Sequence, residues 1–251
     1  MKHFFRIFFS GLAISLLAIG CSKETETLET ASLADYWPMV PGKYIIYQLD
    51  STITQNFGTA FKTVSYQARD LVDAEITDGM NRPSYRVVRS IRNLDGTGAW
   101  KPIATYSITH NGKTGESNED NLRFIKLQLP IRENFSWKGN SYIDTYSPSS
   151  PFKYLDGWDY IYEMVGMPFE TPMKTVDSTI TIHQRDEEIG SESDKLNYFE
   201  KNYSVEVYGK GIGLIYKEFL HKEYQAGNTP PASGKYMDGT YGIRLRMIDH
   251  N

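Results

Sequence analysis

Five aromatic rings recur at alternate positions in one short stretch of this chain: Phe152, Tyr154, Trp158, Tyr160 and Tyr162. Successive side chains of a strand point to opposite faces, so an extended chain puts all five on one face, interrupted by Asp156. Lys153, Asp159 and Glu163 take the other face. A row of flat rings stacks on sugar faces or walls a pocket for an apolar ligand. The same row also packs sheet cores through aromatic cross-strand pairs.

Other chemistry is thin. His110, His183, His221 and His250 include no pair at the i, i+2 spacing of a strand or the i, i+4 spacing of a helix, so no local zinc site is readable. His183 reads as a solvated residue on the polar face of its strand. Asn93, Asp95 and the run Ser117-Asn118-Glu119-Asp120-Asn121 offer oxygens, but without the spacing of a calcium loop, and read as solvated loops. In Gly209-Lys210-Gly211-Ile212-Gly213 the third glycine of a dinucleotide fingerprint is replaced by Tyr216, and the next residues read as a strand where a helix is required. Gly112-Lys113-Thr114 has Ser107 where a phosphate loop needs glycine, and reads as a loop tip. No Gly-x-Ser-x-Gly elbow occurs, and the single cysteine is Cys21. No catalytic residue, metal or cofactor is expected; a hydrolase built from two distant carboxylates is the remaining catalytic reading.

The elements that position these residues read as β. Tyr241, Ile243, Leu245 and Met247 alternate with Gly242, Arg244 and Arg246, the period of two of a half-buried strand. Val176, Ile180 and Ile182 alternate likewise, as do Tyr203, Val205 and Val207, and Ile125, Leu127 and Leu129. Further strands are expected over 43–51, 62–75, 84–93, 100–110, 141–147, 152–163 and 212–224. Asp78-Gly79, Asp95-Gly96, Asn111-Gly112, Lys138-Gly139-Asn140 and Asp238-Gly239 supply the turns between them. Helix is confined to one or two turns over Leu196–Asn202. Strands joined by short turns imply an all-β, antiparallel, curved sheet that closes into a barrel, half-barrel or sandwich to limit its edges.

The first residues carry an address. Lys2 and Arg6 precede an apolar run from Ile7 to Gly20, about 14 residues against the roughly 20 of a spanning helix, which suits a secretory signal peptide. Leu17-Ala18-Ile19-Gly20-Cys21 resembles the lipobox of bacterial lipoproteins. That resemblance implies cleavage before Cys21, lipidation of Cys21 and near-permanent anchoring, since two or more acyl chains hold where one does not. Cleavage takes Lys2 and Arg6 and moves the net charge from −4 to −6. An acidic chain without a basic stripe is not a nucleic-acid binder. Ser22–Asp35 is polar, charged and free of aromatics, and reads as a tether of about 20 Å as a coil. The expected division is therefore 1–20 signal peptide, 21–35 lipidated Cys21 and tether, and 36–251 one antiparallel β domain.

Three further segments are similar to uncharacterised Bacteroidetes-type cell-envelope lipoproteins. Tyr36-Trp37-Pro38 through Pro41-Gly42-Lys43-Tyr44 resembles their opening element. Leu129-Pro130 through Ser136-Trp137-Lys138-Gly139 resembles a central Trp-x-Gly element. Val207-Tyr208-Gly209-Lys210-Gly211-Ile212-Gly213-Leu214 through Glu218 resembles a late strand pair. The likeness implies an outer-membrane lipoprotein, and Lys23-Glu24-Thr25-Glu26 resembles the acidic signal that sends some such proteins to the cell surface. It brings no assigned activity. Three functions stay open: binding of a lipid-like or glycan ligand through the Phe152–Tyr162 face, docking of another envelope protein, and an unrecognised hydrolase.

Overall fold

The computed structural model describes residues 31–227 and 234–251. Cys21, the apolar run and the tether up to residue 30 lie outside the described residues. Residues 31–251 form one compact unit, with thirteen strands among the described residues. These are β1 (Tyr44–Gln55), β2 (Ala60–Thr77), β3 (Pro83–Asn93), β4 (Lys101–His110), β5 (Thr114–Glu119), β6 (Leu122–Gln128) and β7 (Ser136–Trp137). They are followed by β8 (Tyr160–Glu170), β9 (Thr175–Ile189), β10 (Phe199–Gly209), β11 (Gly213–Gln225), β12 (Lys235–Tyr236) and β13 (Tyr241–His250). The one described α-helix, α1, is Leu33–Tyr36.

Twelve strands follow one path, β6-β5-β4-β3-β2-β1-β13-β11-β10-β9-β8-β7, and β12 pairs with β11 beside it. Each neighbour is antiparallel, and almost every pair is a hairpin of consecutive strands. The exception is β13, which sits between β1 and β11. The two ends of the path then meet. Ile125 of β6 donates its backbone N–H to Gly139 O at 2.8 Å, and Trp137 Nε1 donates to Ile125 O at 2.8 Å. The Tyr162 hydroxyl of β8 donates to Gln128 O and accepts from Gln128 N, each at 2.9 Å. The sheet is a nearly closed barrel, which removes the edges a flat sheet of this width would expose.

Most expected strands are present, with four corrections. Residues 141–147 and 152–158 are turns and a short 3-10 segment, Lys153–Leu155, with Gly157 at φ 67°; β8 begins only at Tyr160. Leu196 and Asn197 are not helical, and Phe199–Asn202 open β10. Ser117–Glu119 belong to β5, and Asp120-Asn121 make the two-residue hairpin turn to β6 with φ of 51° and 63°, positive values that Asn and Asp tolerate best after Gly. Finally, the tether does not run on to Asp35. Ser32 caps α1, its Oγ accepting from Asp35 N at 3.2 Å while Asp35 Oδ2 accepts from Ser32 N at 2.9 Å, a reciprocal capping box.

The barrel has two unlike ends. At the end holding the β4–β5 and β10–β11 turns, α1 turns inward and Trp37 enters between opposite walls. Its ring lies 5.8 Å from His110 and 5.6 Å from Tyr208, and Gly211 N–H donates to Asp35 O at 2.6 Å. Gly115 makes the room: a Cβ there would lie 3.1 Å from the Trp37 ring. Across the other end folds the long connection 138–159. Asn140 Nδ2 donates to Leu155 O at 3.0 Å, Tyr160 Oη to Asn140 Oδ1 at 2.9 Å, and Trp158 Nε1 to Tyr154 O at 2.7 Å. Gly139 lets the Tyr160 ring lie on its backbone, where a Cβ would stand 2.4 Å away.

Candidate functional site

The strands that enclose the barrel send charges inward. Asp70 (β2), Arg89 (β3), Glu119 (β5), Lys126 (β6), Glu206 (β10) and Lys217 (β11) form a belt across its middle. Antiparallel register builds part of it directly: Asp70 and Arg89 are cross-strand partners and so share a face. Arg89 Nε and Nη2 donate to the two Asp70 oxygens, each at 2.6 Å, and Tyr106 Oη adds a bond of 3.0 Å to Asp70. Across the lumen Lys126 Nζ donates to Glu206 Oε1 at 2.8 Å, and Lys217 Nζ stands 3.4 Å from the same oxygen. Tyr208 Oη donates to Glu206 Oε2 at 3.0 Å.

Burial sets the electrostatics. Lys126 and Glu206 side chains are 6% and 2% exposed, and desolvation opposes both charges. Their mutual attraction outweighs it, raising the Lys126 ammonium and, with Lys217, lowering the Glu206 carboxyl. Glu119 makes no direct ion pair among the described residues. Burial opposes its ionisation too, but Lys217, Lys126 and Arg89 together hold its carboxyl down to about 2. The surface Glu119 retains faces the cavity. Such an arrangement resists titration through the neutral range.

Two chambers flank the belt. Towards the Trp37 plug lies a narrow one of ≈ 50 Å³ walled by Met39, Tyr47, Val72, Val87 and Ile108. Towards the 138–159 connection lies a larger one of ≈ 280 Å³ that reaches Asp120 at the β5–β6 turn and Tyr241 at the start of β13. A void of roughly 10–15 Å³ already holds one water, so a charged chamber of this size is wet. Gln184 and Ser204 face it from β9 and β10. Ser204 Oγ donates to Gln184 Oε1 at 2.6 Å, yet Gln184 Nε2 has no protein partner although the residue is 3% exposed.

Three of the five expected ring residues meet this chamber: Tyr154, Trp158 and Tyr160. They do so by a route other than strand alternation, Tyr154 and Trp158 coming from the connection and only Tyr160 from β8. Trp158 and Tyr160 are 2% and 1% exposed, and burial pushes the Tyr160 hydroxyl up. Tyr154 stacks on His221 at 3.9 Å. Tyr162 does not reach the chamber. It is fully buried against Trp137, 4.6 Å between ring centres, and closes the β6–β8 seam. Phe152 packs half-buried against the main core.

Sequence reading missed the belt. The signal that would have found it is inverse alternation, since the apolar sets of β6 and β10 leave Lys126 and Glu206 on the opposite face, while Glu119 sits in a run that reads as a solvated loop. Ser150 and Lys153 also carry the spacing of a serine–lysine nucleophile pair, but Ser150 Oγ donates to Asp144 O at 2.6 Å and Lys153 Nζ to Pro148 O at 2.8 Å, bonds that build the loop. Among the described residues no three of His, Cys, Asp and Glu gather as a metal site.

No protein-family model matches the chain, and no curated protein matches it. Among solved structures it is similar to a candidate lipoprotein from Parabacteroides distasonis, with 12% identity and a TM-score of 0.33 over 86% of this chain and 98% of that one.

Proposed function

We propose that this chain is a lipoprotein of the outer membrane, anchored through Cys21 and leaning to the cell-surface side, whose barrel lumen binds a small ligand without catalysis. The carrying observation is the wet chamber inside the barrel, where aromatic rings and charges converge and where Gln184 presents an unpaired amide.

Two measurements test this. Cys21→Ala is expected to move the protein from the membrane fraction to a soluble or unprocessed form; unchanged membrane retention would remove the anchor. Ile243→Trp, on the chamber wall, is expected to abolish ligand binding while leaving the far-UV circular dichroism of a β protein. A second reading, a docking module, draws on Met164, Met167 and Met173, which are 61%, 55% and 45% exposed on and beside the β8–β9 hairpin, because methionine suits adaptable contact surfaces.

A further inference from the structure

We propose that the luminal chamber takes a neutral, polyhydroxylated ligand, one unit of a saccharide, in place of an acyl chain or an acid. The inference rests on the lumen being a ligand site, as proposed above, and adds the ligand's chemistry.

Charge comes first. The belt holds three acids, Asp70, Glu119 and Glu206, and three cations, Arg89, Lys126 and Lys217, so it is balanced in itself, and Asp120 adds one more acid at the mouth. An acid that displaces the chamber water meets no unopposed cation there, a costly outcome for a buried site. An acyl chain fails for a different reason. It strips water from Lys217, Glu119 and Gln184 and returns no hydrogen bond.

A hydroxyl group donates and accepts at once, which matches what the wall presents. Glu119, free of a direct ion pair among the described residues, accepts. Lys217 Nζ keeps donor capacity beyond its 3.4 Å contact with Glu206. Gln184 is the sharpest indicator: it is 3% exposed, faces the chamber, and has one amide end engaged by Ser204 and the other without a protein partner. Whichever way the amide is turned, one polar end stays without a protein partner at the chamber wall. Beside these groups Trp158, Phe219 and Tyr241 form a continuous aromatic wall, with ring centres 6.1 Å and 4.9 Å apart. Ring faces stack on the C–H face of a pyranose while its hydroxyls meet the polar side.

The test is calorimetric titration of the purified full chain in detergent with maltose, cellobiose, mannobiose and diacetylchitobiose, and with digalacturonate and octanoate as the acidic and apolar probes. At least one neutral disaccharide is expected to bind. Glu119→Gln and Gln184→Leu are each expected to weaken it about tenfold with an unchanged melting temperature for Gln184→Leu. Ile243→Trp, or Leu122→Trp should that variant not fold, is expected to abolish it. If octanoate or digalacturonate binds where the neutral sugars do not, and the tryptophan block removes that binding, the lumen remains a site and the saccharide assignment falls. If no probe binds, or binding ignores the block, both fall.

Discussion

Strands β13 and β10 share a period of two and use it in opposite ways. In β13 the apolar set Ile243, Leu245 and Met247 faces inward, Leu245 and Met247 without solvent exposure, while Arg244 and Arg246 reach outward to Glu218 and Asp50. In β10 the inward set is Asn202, Ser204, Glu206 and Tyr208, each 1% exposed, and Val205 and Val207 point the other way. Register confirms the facing: Glu206 pairs with Ile182 and Tyr208 with Ile180, both in the main core. An apolar stripe therefore marks one face of a strand, but where a barrel encloses a wet chamber the polar stripe is the inner one. Burial and hydrophobicity separate in this molecule.

Substitutions that exchange the two behaviours test the contrast. Glu206→Leu makes β10 read like β13 yet strands Lys126 and Lys217 in the lumen, and is expected to cost about 3–5 kcal/mol in urea denaturation. Adding Lys126→Met is expected to recover part of that loss; full additivity of the two changes would show that they are not coupled. Leu245→Ala, a plain core truncation, is expected to cost about 2–5 kcal/mol. The belt also predicts a pH signature. Unfolded glutamate titrates near 4.3, whereas Glu119 stays ionised down to about 2 and Glu206 is lowered as well. Their stabilisation is complete at neutral pH and is lost as pH falls below about 5, because the unfolded chain takes up protons first. Urea midpoints between neutral pH and about pH 3 should fall, and Glu119→Gln should flatten that slope. The smallest effect belongs outside: Arg244→Ala removes a pair whose arginine is 47% exposed, and is expected to cost about 0.2–1 kcal/mol, less in high salt.

The strands were legible where alternation and glycine turns coincided, as at Asp78-Gly79 between β2 and β3. Many strands joined by short turns point to closure without choosing between barrel, half-barrel and sandwich. The belt was not legible, because Lys126 and Glu206 are 80 positions apart and no local pattern links them. β5 was hidden for a related reason: Thr114–Glu119 has no apolar residue, so a strand whose job is to line water on one side and a polar cluster on the other looks like a loop. Tyr154, Trp158 and Tyr160 line the chamber, but not by strand alternation. Alternation from Phe152 to Tyr162 is real in the sequence, but Gly157 and the 3-10 turn break it, and Trp158 reaches the chamber through the connection.

The place of β13 in the sheet has a consequence for how the chain comes together. Every other long strand can pair with a neighbour as soon as the next hairpin forms, through contacts local in sequence. The first half, β1 to β6, and the second half, β8 to β11, can thus assemble as two separate curved meanders. They meet at the seam of β6 with β7 and β8, but the other side stays open until β13, the last strand, supplies one edge to β1 and the other to β11. Until it arrives, β1 and β11 each show a row of unpaired amides and carbonyls, the surface that recruits foreign strands. Such long-range closure is slow relative to hairpin formation, so the window of vulnerability lies late in folding. A chain shortened before Tyr241 is expected to keep much of its secondary structure and to aggregate through those two edges.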